Sequence, residues 1–159
     1  MGDREQLLRR YEGGVALLKA ALARVPAEAR QWRPGPGKWS VHEIICHCAD
    51  SETNSAMRIR YLVGENEPVI QGYDQDRWAT TFDYHTLPLE LALRQIEIVR
   101  EWTSAMLRQL PESAWSRSGT HNEMPGVAYT AAKWLEIYAE HLEVHARQID
   151  RNVEAWGRR

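Results

Sequence analysis

A chain of 159 residues is long enough for one domain with a substantial core and too short for two. It is 43% hydrophobic and 26% charged, with a net charge of −2 and acids and bases interspersed. That balance describes an ordinary globular protein and excludes the clustered positive footprint that nucleic acid requires. No apolar run approaches the ~18 residues of a membrane span, and the charged start Met1-Gly2-Asp3-Arg4-Glu5 has no apolar core of a secretory signal. The two cysteines, Cys46 and Cys48, would project roughly 200° apart on a helix, too divergent for a disulfide. A reducing cytoplasm is the expected compartment.

The first predicted helix covers about residues 3–25. Leu8, Tyr11, Val15, Leu18, Leu22 and Val25 recur at intervals of 3, 4, 3, 4 and 3, the seam of a helix packed at a shallow angle in a bundle. Gly13-Gly14 weakens it by about 1 kcal/mol per glycine, and Pro26 ends it. After a Pro/Gly-rich loop at 33–39, Ser40-Val41-His42-Glu43 forms an S-x-x-E capping box. It starts a second helix predicted over 41–63, stopping at Gly64. The inward stripe of that helix is Ile44, His47/Cys48, Ser51, Ser55, Ile59 and Leu62. Small and polar residues fill its middle, leaving room for something other than hydrocarbon.

The connector 64–85 is long, which marks it as functional or as hiding a short helix, and 76–80 can form one or two turns. A third helix is expected after Thr86 as N-cap, with Pro88 in its first turn. It continues through Leu89, Leu93, Ile96, Val99, Thr103, Met106 and Leu110 until Pro111. A loop with His121, Pro125 and Gly126 leads to a fourth helix that begins within 127–130 and reaches about residue 150. Its seam is Trp134, Tyr138, His141, His145 and Gln148. No convincing strand is seen. The expectation is one all-α domain over 1–159, a four-helix bundle with a long connector between helices two and three.

Histidines carry the chemistry. His141 and His145, four apart, lie about 40° apart around a helix with Cβ atoms about 6 Å apart, so both can reach one ion. They occupy seam positions where unpartnered imidazoles would be costly. His47 is also inward on the second helix. Taken singly, it reads as a core histidine bonded to a carbonyl or to Asp50; with the other two it completes a three-nitrogen site with open coordination positions. His42 is expected at the surface, His85 as part of a helix cap, and His121 in a loop at the bundle end. Cys48 reads as a small core hydrophobe. Seven tryptophans and six tyrosines accompany one phenylalanine; most fill the core and its rim, but Trp39, Tyr73 and Trp78 can also wall a pocket.

Three segments resemble the DinB/YfiT-like superfamily. They are Trp39-Ser40-Val41-His42-Glu43-Ile44-Ile45-Cys46-His47-Cys48-Ala49-Asp50-Ser51-Glu52, the connector from Glu67-Pro68-Val69-Ile70 through Tyr73-Asp74-Gln75-Asp76-Arg77-Trp78-Ala79, and His141-Leu142-Glu143-Val144-His145-Ala146-Arg147-Gln148-Ile149. The resemblance implies a four-helix bundle, often dimeric, so a homodimer is expected. It also implies one divalent metal ion per chain, zinc or nickel, held by His47, His141 and His145 with water completing the sphere. Some members of that superfamily join a low-molecular-weight thiol such as bacillithiol, mycothiol or glutathione to an electrophile; others carry a metal-dependent hydrolase label.

Thiol S-transfer is the leading expectation, with a small-molecule thiol and a toxic electrophile as partners. The electrophile would be held near the 73–78 loop, with Trp39, Tyr73, Asp76 and Trp78 as candidate substrate contacts. Hydrolysis by an activated water is the alternative, with Asp50, Glu140 or His121 as candidate catalytic groups. A non-catalytic metal-binding stress or interaction protein is a third reading, since a fold does not dictate chemistry.

Overall fold

Pro26 stops the first helix as the sequence predicts. In the computed structural model, which describes residues 2–159, α1 spans Gly2–Ala23 and buries Leu8, Tyr11, Leu18 and Leu22. α2 follows at Val41–Gly64, β1 at Val69–Ile70, a short α3 at Gln75–Thr81 and α4 at Leu89–Leu107. β2 (Ser118–His121), β3 (Tyr129–Thr130) and the long α5 (Ala131–Gly157) complete the chain. The strongest packing joins α1 to α5, α2 to α4, α2 to α5 and α1 to α4. The consecutive helices α1 and α2 are therefore diagonal in the bundle, and the 24–40 loop crosses its end.

Several sequence expectations need correction. α4 is capped by Pro88 rather than Thr86, because a residue preceding proline is pushed out of the helical region; Thr86 ends a separate 3-10 turn at Tyr84–Thr86. α4 also presents Ala92, Ile96, Arg100, Thr103 and Leu107 inward, so Val99 and Met106 lie on its flank. α5 runs seven residues past 150, to Gly157. Strands do exist: β1 pairs parallel with β2 (Ile70 opposite His121), and β2 pairs antiparallel with β3 (Gly119 opposite Tyr129). Two- to four-residue strands are too short to leave an alternating pattern.

The interior is two apolar clusters separated by a polar layer. One holds Leu18, Ile44, Ile45, Cys48, Ile96, Leu142 and Ile149; the other holds Tyr11, Ile59, Leu62, Leu107, Trp134 and Tyr138. Between them Glu52, Ser55, Arg100 and Thr103 are fully buried. Gly14 gives the layer its room. A Cβ there would stand 3.1 Å from Leu142 Cβ and 3.5 Å from Arg100 Nη1, which explains a helix-weakening residue at a packed position.

The capping box that starts α2 is present: Ser40 Oγ accepts from the Glu43 amide at 3.2 Å, and Glu43 Oε2 accepts from the Ser40 amide at 2.8 Å. Arg33 donates twice to the same carboxylate and fastens the 33–39 loop over the helix end. His42 is buried here, its Nε2 bonded to the Leu87 carbonyl at 2.9 Å, and His85 bonds Ser40 Oγ at 2.8 Å instead of capping α4. Both are corrections: the 84–87 turn covers the face of α2 that the sequence left bare.

Burial would raise the Glu43 carboxyl, but Arg33 and Ser40 outweigh it and hold it down to about 2. A carboxylate depressed in the folded state adds stability that is complete above its ordinary value of 4.5 and is lost as the pH falls towards 2. Glu43→Gln is expected to cost about 1–2 kcal/mol in urea unfolding at neutral pH. The gap from wild type should narrow as the pH is lowered below 4.5; a gap independent of pH would contradict the assignment.

Candidate metal centre

The capping box fixes where α2 begins, and so fixes which turn carries His47. Two turns in, the ring is buried and faces α5. His141 and His145 lie one turn apart on α5, and a nitrogen of each of the three histidines falls within 4.8 Å of the others. Ring centroids are 5.7 Å apart for His47 and His141, 4.9 Å for His47 and His145, and 4.7 Å for His141 and His145. Two nitrogens sharing one zinc-sized ion stand ~3.4 Å apart, which small side-chain adjustments reach.

The surroundings prepare these rings for a metal. The Glu52 carboxylate accepts from His141 Nδ1 at 2.8 Å, and Gln148 Oε1 accepts from His145 Nδ1 at 2.9 Å. Each acceptor holds the proton on Nδ1 and leaves the Nε2 lone pair for a ligand, the orienting contact that metal-binding histidines share. The Ser51 hydroxyl, 3.2 Å from His141 Nε2, points at that lone pair. Trp39 packs on the His47 ring at 4.8 Å, and His47 Nδ1 is buried without a partner. Burial, with His145 and His141 beside it, pushes His47 down to about 2; burial and His141 push His145 down to about 4. Both are neutral at pH 7. Unprotonated nitrogens crowded without hydrogen bonds between them are a donor set suited to zinc, nickel or a similar divalent ion.

Glu52 is held in turn by Arg100, whose Nε and Nη2 donate to its two oxygens at 2.6 and 2.7 Å. Burial would favour the protonated carboxyl, but Arg100 outweighs it and keeps Glu52 well below the ordinary carboxylate range. The remaining Arg100 donors reach the Tyr11 and Tyr138 carbonyls, and its guanidinium lies 3.8 Å over the Tyr11 ring. Sequence reasoning missed this pair. The signal was there: Glu52 lies four residues after Cys48 on the inward stripe, and Arg100 four after Ile96.

A cavity of about 260 Å³ opens onto the histidines, lined also by Ser51, Arg58, Tyr73, Gln75 and Glu123. Tyr73 backs onto Trp78 at 4.3 Å. Asp76 is away from this cavity: with Trp39, Arg33, Lys38 and Glu43 it lines a second one of about 250 Å³. Asp50 accepts from the Tyr84 hydroxyl, and Glu140 is exposed beside Arg147 at 3.5 Å; neither lines the metal cavity. His121 is buried behind it, its Nδ1 accepting from the Glu123 amide at 3.2 Å. The carboxylate that does line the metal cavity is Glu123. It belongs to a 121–123 turn pinned to the connector by Asn122, whose amide bonds the Ile70 carbonyl at 3.2 Å and whose side chain accepts from Gly72 at 2.7 Å. The Glu123 carboxylate lies in the space a Cβ at Gly72 would occupy, so a side chain there would push it aside. No local pattern marks such a residue; the β1–β2 pairing delivers it.

Three histidines meeting between two bundle helices define a candidate metal centre, and the comparisons give the chain's family. The model of the DinB superfamily matches residues 6–149, and the protein belongs to that superfamily. A relative from Oceanobacillus iheyensis, provisionally named a metal-dependent hydrolase, is 34% identical over 113 residues, which cover 71% of this chain and 64% of that one. Another from Geobacillus kaustophilus, with the same provisional name, is 26% identical over 152 residues, or 93% of this chain and 83% of its own. The fold matches that of YfiT from Bacillus subtilis, described as a probable metal-dependent hydrolase with an unusual four-helix bundle topology. Its TM-score is 0.88 at 24% identity, covering 97% of this chain and 87% of that one. Among the described residues, no helix is long and apolar enough to cross a membrane.

Two experiments test the centre. Elemental analysis of purified protein is expected to find about one divalent ion per chain and a large loss in His145→Ala; equal metal in both would remove His145 from the site. Glu52→Gln should weaken metal binding about 10- to 100-fold by chelator competition. Arg100→Met, which leaves Glu52 charged and alone, should destabilise the fold by about 3–5 kcal/mol.

Proposed function

We propose that this protein is a metal-dependent enzyme and that its reaction is the transfer of a low-molecular-weight thiol to an electrophilic small molecule. The observation that carries this is the meeting of three histidine nitrogens, two of them with their protons fixed on the far side of the ring, at a polar cavity of small-molecule size. A divalent ion held by His47, His141 and His145 would supply Lewis acidity at open positions, where a thiol becomes acidic enough to ionise near neutral pH.

The chain's own groups provide the rest. Glu123 is the carboxylate lining the cavity and is the group to accept the thiol proton. Tyr73, held by a tilted contact with Trp78 and with the Arg58 guanidinium 5.9 Å from its ring centre, lines the cavity with an aromatic edge against which an electrophile can pack. Sulfur then forms its bond to the electrophilic carbon as the leaving group departs with the electron pair. Trp39 packs against His47 and shields that ring from water.

Hydrolysis is the second reading, favoured by the same Glu123 carboxylate, which can take a proton from water as readily as from a thiol, and by the names of the relatives. Chlorodinitrobenzene with a panel of small thiols separates the two. Transfer predicts thiol consumption that requires loaded metal and vanishes in His145→Ala, with the thiol in the product. Consumption no faster than in metal-free protein would overturn it; products carrying the elements of water instead would favour hydrolysis.

A further inference from the structure

Arg58 lines the metal cavity, yet no step above uses it. It lies seven residues after Ser51 on α2, almost the same angular position two turns on, and helical side chains lean towards the N-terminus, so the guanidinium reaches back over the site. Its Nη1 donates to the Tyr138 hydroxyl at 3.0 Å and its Nη2 to the Gln71 carbonyl at 2.8 Å. Of a guanidinium's five N–H donors, three therefore have no protein acceptor, and the Nε–H among them is buried. Buried Arg100 and half-buried Arg10 are matched with Glu52 and Glu143, and exposed Arg33 with Glu43; among the described residues half-buried Arg30 and Arg60 form no salt bridge, but of these arginines Arg58 alone lines the metal cavity. Among the described residues, Arg58 forms no salt bridge.

A half-satisfied cation at the edge of a cavity is completed by something that enters the cavity. We propose that Arg58 anchors a carboxylate of the substrate, so that the molecule activated at the histidines is a small carboxylic acid. A planar carboxylate matches the fork that the unpartnered N–H groups present. Glu123 on the same wall limits the anionic charge the cavity welcomes, which favours a monoanion over a doubly charged phosphate, and leaves Glu123 free for a donor on the ligand. The inference rests on the metal-dependent reading of the site and names its substrate class.

The rival account makes Arg58 a structural clamp that ties α5 to the connector through Tyr138 and Gln71 and through the Tyr73 ring, 5.9 Å from its guanidinium. A clamp has no preference between a carboxylic acid and its neutral analogue. The test is a tryptophan-fluorescence titration of metal-loaded protein with two probe pairs, 3-mercaptopropionate against 2-mercaptoethanol, and propionate against propanamide. Wild type is expected to bind the acid of each pair about tenfold or more tightly than its neutral partner. Arg58→Gln should erase that preference with bound metal unchanged, and Arg58→Lys should keep part of it. No acid preference in wild type, or one that survives in a folded Arg58→Gln, overturns the proposal. Because an open divalent ion itself prefers a carboxylate, the variant decides, and Arg58→Met takes the place of Arg58→Gln if the glutamine variant fails to fold. Absence of binding by both thiols would sink the thiol reading of the site, while the propionate pair would still decide the role of Arg58.

Discussion

The ion pair of Glu52 and Arg100 is the interaction on which the rest of the bundle depends. Arg100 projects from α4 and touches each of the other long helices: Glu52 of α2, the Tyr11 carbonyl of α1 and the Tyr138 carbonyl of α5. Removing two charges from water is costly, and a buried pair often contributes little net stability compared with hydrocarbon. Here its effect is positional. Both charges are answered in one register of the four helices, although the buried Ser55 and Thr103 hydroxyls beside them have no partner, and sliding any helix by a turn would strand a charge.

That register sets the metal centre. The oxygen of Glu52 that faces Arg100 Nη2 also receives the His141 proton, so the core and the site share one atom. The buried charge fixes the imidazole tautomer, the tautomer exposes Nε2, and neighbouring burial keeps His47 and His145 neutral. The cavity above is built differently. Its upper wall comes from the 64–85 connector and the 121–123 turn, held together by the β1–β2 pairing and by Asn122. A rigid helical floor with walls from loops is the arrangement that lets one metal site serve different substrates.

Much of this was legible in the chain. Heptad-like spacing located the four long helices, the S-x-x-E box and Pro26 set two of their ends, and the i, i+4 histidines on an apolar seam pointed to a shared ligand. Each signal is local, acting within one or two helical turns. The expectations that failed concern contacts made across the fold. His42 was placed at the surface because nothing in α2 reveals that the 84–87 turn covers it. Asp50 and Glu140 were offered as bases because their neighbours in sequence include ligands, yet one is engaged by Tyr84 and the other faces solvent.

The sequence by itself determined the four long helices, the inward faces of α1 and α2 and the three nitrogens available for a metal, but only part of the inward face of α4, because periodicity and capping are properties of neighbouring residues. Tertiary structure alone decided that Glu52 answers both Arg100 and His141, that Glu123 and Arg58 line the cavity, and that Asp76 does not. Those pairings join residues between 48 and 89 positions apart in the first case. Over such separations the partner is chosen by how the helices pack and which loops pair, and no short-range pattern in the chain encodes that choice.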